Sequence, residues 1–176
     1  NRGRYSTDAS IYQLMPIGVV LPRSDDDVEA AVKIAKEEGI PVLPRGSGTS
    51  QNGQAIGEAL LIDTTRHLNQ IIDFDREKQT ACVQPGLVLD HLNRYLKPHG
   101  LFYPVDVSTA NRATLGGMTG NNSCGARSIR YGNMVHNVLS VEALLANGSK
   151  AHFKKLNGYA SNGNVSDALL QRLLRL

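Results

Sequence analysis

The sequence predicts an α+β fold with mixed sheets, because its strand pairs outnumber its strand–helix–strand crossovers. One strand–helix–strand unit opens the chain at residues 19–43. Strand pairs with short turns follow at residues 69–83 and 138–153, and one helix lies between them. A doubly wound sheet would instead alternate strands with helices along its whole length.

Local signals define the elements of the first half. Residues 19–22 predict a short strand, and Ser24 is the N-cap of a helix whose first turn is acidic and whose C′ residue is Gly39. A helix is predicted at 87–96, with Leu87, His91, Leu92 and Tyr95 on one face. Further strands are predicted at 40–43, 59–63, 69–74 and 80–83, the last two as a hairpin.

The second half opens with a long segment of weak periodicity. Residues 104–137 are dense in Gly, Asn, Ser and Thr, and loops of this length are usually functional or disordered. A hairpin follows, with strands at 138–145 and 151–153 around an Asn147-Gly148 turn. We expect residues 157–166 to be flexible and residues 168–176 to form an amphipathic helix.

The composition disfavours a membrane span, nucleic-acid binding and a metal site. Hydrophobic residues make up 41% and charged residues 20%, as in ordinary soluble domains. No apolar run reaches the length of a membrane span, and the net charge of +3 comes from scattered basic residues, which disfavours nucleic-acid binding. The two cysteines form no CxxC pair, which disfavours a metal site and fits the reducing cytoplasm.

The first candidate site is the loop PRGSGTSQNG at residues 44–53. Its glycines allow consecutive main-chain N–H groups to converge on an anion, and its hydroxyls and Arg45 add donors and charge. No Lys-Ser/Thr pair follows, so it is not a Walker A loop, and its glycine spacing is not the dinucleotide fingerprint. An ordinary surface loop is the alternative.

The second candidate site is the run ATLGGMTGNNSCG at residues 113–125. Small residues let the backbone approach a large ligand closely, and Asn and Thr side chains supply donors. A disordered linker is the alternative, which Leu115, Met118 and Ile129 disfavour because they interrupt the polar composition.

These two loops, in this order, resemble the FAD-binding domain of the vanillyl-alcohol oxidase/PCMH flavoprotein family. Residues 44–50 resemble the family's first phosphate loop, and residues 113–117 resemble its second, continued by residues 121–125. The segments at 10–13, 20–24, 131–132 and 138–148 also fit, so the resemblance covers nearly the whole chain.

The resemblance implies a PCMH-type domain of two α+β lobes, about 16–85 and 86–176, with FAD between them. The pyrophosphate would contact the first loop, and the second loop would face the other side of the cofactor. For Arg45 a solvated loop charge, and for Asp106 a turn-forming role, stay open as alternatives. The implied cofactor-binding residues are Pro44, Arg45, Gly46, Ser47, Gly48, Thr49, Ser50, Gly53, Gln54, Pro104, Asp106, Ala113, Thr114, Leu115, Gly116, Gly117, Asn121, Ser123 and Gly125.

Within the family, residues 108–118 most resemble the long bacterial FAD-linked dehydrogenases of D-lactate and D-2-hydroxyglutarate type. This implies oxidation of a D-2-hydroxy acid to the 2-oxo acid by hydride transfer to flavin, with a downstream electron acceptor. It also implies a cytoplasmic protein, or one peripheral to the inner membrane. Thr49 stands where some relatives attach the flavin through His, so we expect non-covalent FAD.

The resemblance further implies that several parts lie outside this chain: a last glycine-rich stretch of the domain, a cap domain with the catalytic residues, and any iron–sulfur cluster. We therefore expect no catalytic or metal-binding residue in these 176 residues, no activity from them alone and weak FAD retention. The alternatives are a reductase of the UDP-N-acetylenolpyruvoylglucosamine type, which residues 111–118 disfavour, and a non-catalytic nucleotide- or protein-binding module.

Isolated reactive side chains give weaker signals. The five histidines show no metal spacing. His136 lies near the second loop, but a structural or solvent role is favoured, because a lone histidine needs a partner to act in catalysis. Cys82 is expected in the core because it falls in a predicted strand.

Overall fold

The computed structural model describes residues 2–154. The chain divides into two compact units, with the division after Asn137. The predicted lobe boundary near residue 85 stays a prediction, and the predictions for residues 157–166 and 168–176 fall outside the described residues.

A three-stranded parallel sheet forms the start of the first unit. After a short 3₁₀ helix (Arg2–Tyr5), the elements are β1 (Gly18–Val20), α1 (Asp25–Glu37), β2 (Val42–Arg45) and β3 (Leu60–Asp63), with strand order β1-β3-β2. The register pairs Arg45 with Asp63. The first glycine-rich loop therefore leaves β2 at the carboxyl edge of a parallel sheet, where α/β proteins commonly bind ligands.

Helix α1 begins and ends as its sequence predicts. The side chain of Ser24 accepts a hydrogen bond from Asp27 N at 3.3 Å, and Gly39 follows the helix with φ +65°. Ala31, Val32 and Ala35 form its buried face. The cap and the glycine stop are local signals, and both are confirmed.

The β-hairpin comprises β4 (Ile71–Asp75) and β5 (Thr80–Val83), antiparallel with a bulge near Ile71. No residue of either strand is buried, so the hairpin adds no core layer. The expectation of a core Cys82 is therefore wrong, since this thiol is exposed.

Helix α2 (Leu89–Leu96) begins two residues later than predicted. Its buried face consists of Leu89, Leu92 and Leu96. Of the predicted face, Leu92 is buried in the helix and Leu87 is buried just before it, whereas His91 and Tyr95 are exposed. Tyr95 is half-exposed and packs edge-on against Phe74, with ring centroids 5.6 Å apart.

The segment at 104–137 is not the single long loop that its composition predicts. It contains three short helices, α3 (Leu115–Gly120), α4 (Ser128–Tyr131) and α5 (Met134–Asn137). Thr114 caps α3 by accepting a hydrogen bond from Gly117 N at 3.3 Å. Glycine is a poor helix former, so tertiary packing of Leu115 and Met118, both buried, overrides local propensity here.

The described part of the second unit is one antiparallel hairpin, β6 (Ser140–Leu144) and β7 (Lys150–Lys154). Gly148 adopts φ +84° in the turn, and Leu145 N donates to Ser149 O at 2.9 Å, which confirms the predicted turn and return strand. Across residues 2–154, every helix is too short or too polar to cross a bilayer.

The buried phenol of Tyr103 should make the unfolding free energy of the protein depend on pH in the alkaline range. Its hydroxyl donates to Met134 Sδ at 3.3 Å, and burial raises its pKa to about 12, compared with about 10 for an exposed tyrosine. Since the folded-state pKa is the higher one, its stabilising contribution is complete below pH ~10 and is lost as the pH rises towards ~12. Tyr103→Phe should therefore flatten the fall in unfolding free energy across this range, measured by urea denaturation. Identical slopes in both proteins would contradict this assignment.

Candidate functional site

The two glycine-rich loops contact each other. A Cβ built on Gly46 would overlap Thr114 Oγ1 and lie 3.5 Å from Thr114 Cβ, so the first loop passes directly against the start of the second. The hydroxyl of Ser47 donates a hydrogen bond to Arg112 O. The segments at 46–50 and 114–117 therefore border one site, as the sequence analysis requires.

The second loop is held in place by the segment that leads into α2. Leu89 N donates to Ala113 O at 3.0 Å, and Leu115 N donates to Leu87 O at 2.8 Å. Gly116 N donates to Pro85 O at 2.8 Å, and a Cβ on Gly116 would lie 2.6 Å from Pro85 Cβ. Glycine is needed here because the backbones approach too closely for a side chain.

The first loop offers unused main-chain donors. Within residues 2–154, the N–H groups of residues 46–51 donate no hydrogen bond, and neither does Thr114 N. Gly48 has φ +68°, a conformation that side chains disfavour. Successive free N–H groups of this kind form a concave binding site for an anion such as pyrophosphate.

Arg45 does not face this anion site. It is only 9% exposed, and its Nη1 donates to Ala55 O at 2.8 Å and to Tyr5 O at 3.3 Å. Nη2 donates to Thr7 O at 2.8 Å. Burial lowers the pKa of the guanidinium, while the nearby acids Asp8 and Asp63 oppose this shift. The side chain thus fits neither interpretation from sequence, a phosphate partner or a solvated loop charge.

Asp106 organises the turn that follows the second loop. Its Oδ1 accepts a hydrogen bond from Arg127 N at 2.9 Å, and its Oδ2 lies 3.9 Å from Arg127 Nε. Gly125 packs against the backbone of Asp106 so closely that a Cβ would overlap the Asp106 carbonyl oxygen. Of the two roles considered for Asp106, this geometry favours the turn-forming one.

Further predicted site residues also link the two loops. Gln54 Nε2 donates to Asn121 Oδ1 at 3.4 Å, and Asn121 Nδ2 donates to Ser123 Oγ at 3.4 Å. Gly53, with φ +78°, lies under the ring of Tyr12, where a Cβ would be 2.9 Å from Cδ2. These contacts extend the boundary of the site beyond the two glycine runs.

The remaining predicted residues differ in exposure. Thr49, Ser50 and Pro104 are half-buried, Gly117 and Pro44 are exposed, and Ala113 and Leu115 are buried. The main-chain groups of the two buried residues are bonded within the chain, so these residues shape the loop rather than offer donors to a ligand. His136 is exposed and accepts a hydrogen bond from Asn133 N through Nδ1 at 3.0 Å, in keeping with a structural role.

The N-terminal segment packs on the first loop, which no sequence pattern predicted. Ala9 N donates to Gly48 O at 3.0 Å, and Ala55 N donates to Asp8 Oδ2 at 3.4 Å. The hydroxyl of Tyr5 donates to Asp63 Oδ2 at 2.8 Å. The only local signal was a turn at Asp8, whose Oδ1 accepts from Ser10 N, and such a turn does not indicate its packing partner.

This sequence is similar to those of known proteins. A family model described as "FAD binding domain" matches residues 16–154. The D-2-hydroxyglutarate dehydrogenase of Escherichia coli (strain K12) is 45% identical over 81% of this chain and 14% of its own length. Its counterpart in Haemophilus influenzae is 40% identical over 93% of this chain and 16% of its own length. The chain thus spans a small part of these curated relatives, about a seventh.

A shorter relative and two solved structures are also similar to this chain. The glycolate oxidase subunit GlcD of Bacillus subtilis is 41% identical over 84% of this chain and 32% of its own length. An alkyldihydroxyacetonephosphate synthase superposes with TM-score 0.69 at 26% identity, covering 81% of this chain and 29% of the other. A variant of Physcomitrella patens BBE-like 1 superposes with TM-score 0.75 at 23% identity, covering 87% and 33%, and shows the fold alone. The predicted fold class is confirmed.

Proposed function

Because this chain belongs to the FAD binding domain family, in the PCMH-type group of flavoproteins, we propose that its two glycine-rich loops bind the pyrophosphate and neighbouring parts of FAD. The observation that carries this proposal is the contact of Gly46 with Thr114, which brings two small-residue loops to one site. The N–H groups of residues 46–51 supply the donors for the phosphates.

The residues present fit this cofactor. A dinucleotide needs close backbone approach and neutral or positive donors at its phosphates, and the first loop offers both. The hydroxyls of Thr49 and Ser50 add donors beside the free N–H groups. When bound, FAD accepts a hydride from the substrate, and the chain's own contribution is to bind and orient it.

FAD is held without a covalent bond in this proposal. The first loop, residues 44–53, contains no histidine or cysteine to attack the flavin, and Thr49 occupies the position at which some relatives attach it. Acid precipitation of the holoprotein should therefore release all flavin absorbance into the supernatant. Flavin that stays with the precipitate would contradict this.

The substrate of the complete protein is, in this proposal, a D-2-hydroxy acid, oxidised to the 2-oxo acid. The support comes from relatives named D-2-hydroxyglutarate dehydrogenase at 40–45% identity. No residue of this chain is assigned as the general base, and the electron acceptor and an iron–sulfur cluster belong to other parts of such a protein. For the complete protein we also propose a cytoplasmic location, or one peripheral to the inner membrane.

The complete polypeptide that contains this chain tests the function directly. Purified under mild conditions, it should carry flavin absorbance, and anaerobic addition of D-2-hydroxyglutarate or D-lactate should bleach it while the L enantiomers should not. Bleaching by NADPH instead would identify the UDP-sugar reductase type. Absence of flavin would favour a non-catalytic module.

A further inference from the structure

A segment that precedes the family match packs beneath the first glycine-rich loop. We name residues 5–13 the strap, because they fold back on themselves through a bridge between Thr7 and Gln13. Leu14 N donates to Ser6 O at 2.9 Å, and Ser6 is 1% exposed. The matched region begins at residue 16, so the strap lies outside it.

The strap and the loop share few but well-defined contacts. Ala9 N donates to Gly48 O at 3.0 Å, and the Asp8 carboxylate accepts from Ala55 N at 3.4 Å. The ring of Tyr12 lies against Gly53. The loop at 46–59 has no helix or strand of its own, so external contacts of this kind are needed to order it.

The buried side chain of Arg45 bonds to both the strap and the loop. Its guanidinium donates to the carbonyls of Tyr5 and Thr7 in the strap and to that of Ala55 at the far end of the loop. Gly48 lies so close to Nη2 that a side chain at this position would overlap the guanidinium. The charged groups that face it are Asp8 from the strap and Asp63 from β3, with the phenol of Tyr5 beside them.

We propose that Arg45 is a positioning residue: by binding the strap and both ends of the loop, it holds the N–H groups of residues 46–51 in the arrangement that receives FAD. This proposal rests on the proposed function for its ligand, but the ordering of the loop is independent of it. A planar guanidinium can reach three carbonyls in fixed directions, which the single ammonium of lysine does not reproduce.

The test compares Arg45→Lys with Arg45→Gln in the complete polypeptide, after removal and titration of FAD. Both variants should bind FAD about tenfold or more weakly, since several charge-assisted hydrogen bonds are lost in each. If Arg45 acted as a charge on the phosphates, lysine would retain near-normal affinity, and that result would overturn the proposal. Arg76→Gln, a charge removal in the β4–β5 turn, is the matched control and should leave affinity unchanged.

Hydrogen exchange of the FAD-free protein tests the loop without its ligand. The amides of Ala9 and Ala55, which are hydrogen-bonded between the strap and the loop, should exchange faster in both Arg45 variants, while the amides of α1 keep the wild-type rate. Deletion of residues 1–13 should likewise speed exchange at Ala55, and combining it with Arg45→Gln should add little, because both remove the same contacts. Fully additive effects on FAD affinity, or unchanged exchange, would refute the strap's role.

If the Arg45 variants do not fold, a less disruptive substitution near Arg45 tests the proposal instead. Asp8→Asn keeps the guanidinium and its three carbonyl partners but removes one of the charges that face it. Exchange at the amide of Ala9, which donates to Gly48 O, should rise by a smaller factor, and an unchanged rate would count against the proposal. If the wild-type protein binds no FAD but its loop responds in this way, only the proposed function fails.

Discussion

Replacing Gly125 with alanine should strongly destabilise the protein. A Cβ at this position would overlap the carbonyl oxygen of Asp106 and crowd its carboxylate, and a main-chain atom cannot move aside as a flexible side chain can. Overpacking typically costs about 1–3 kcal/mol and sometimes more, and this overlap belongs at the upper end. For a chain of this size each ~1 kcal/mol lowers Tm by about 2–4 °C, so thermal unfolding should shift down by roughly 6–12 °C.

Gly120 provides the matched control. It lies in the same small-residue run, at the end of α3, but a Cβ there would meet nothing within 4 Å. Since alanine is the better helix former, Gly120→Ala should leave Tm unchanged or raise it slightly. Equal Tm values for Gly125→Ala and the wild type would show that the contact with Asp106 is looser than the structure describes.

Some parts of this fold could be predicted because their signals are local. The cap at Ser24, the stop at Gly39 and the Asn147-Gly148 turn each depend on a few neighbouring residues, and the structure has all three. The two loops were likewise recognisable from glycine content. That they lie side by side was implied only by family resemblance, because no local pattern encodes the contact between Gly46 and Thr114.

The errors share a different cause, which is dependence on distant contacts. Arg45 ends β2 and opens a polar loop, where an arginine is usually exposed, yet its side chain is buried and bonded to three carbonyls. Cys82 has the strand context of a core residue, but no described element covers it. Helix α3 forms in a glycine-rich run because the cap at Thr114 and burial of its apolar residues outweigh propensity.

The contact between the two loops makes Gly46→Ala the most direct test of the site. The added methyl group would overlap Thr114 Oγ1, so the loops would have to separate and the N–H groups of the first loop would move away from the second. Strain of about 1–3 kcal/mol corresponds to FAD binding weakened by about 5- to 140-fold. Titration of FAD into the stripped complete polypeptide, followed by fluorescence quenching, measures this loss.

A second substitution should restore part of the affinity. In Gly46→Ala with Thr114→Ala the overlapping hydroxyl is gone, and the new Cβ faces the Cβ of residue 114 at 3.5 Å, an ordinary contact. Thr114→Ala alone loses the α3 cap, at a cost of about 1 kcal/mol, so the double variant should bind FAD about as well as this single variant and better than Gly46→Ala.

Gly57→Ala, in the same β2–β3 connection, would place its Cβ 3.5 Å from Leu43 and should bind FAD as the wild type does. Simple addition of the two losses in the double variant would mean that the overlap with Thr114 is not their cause, and that the two loops do not form a common wall for the cofactor.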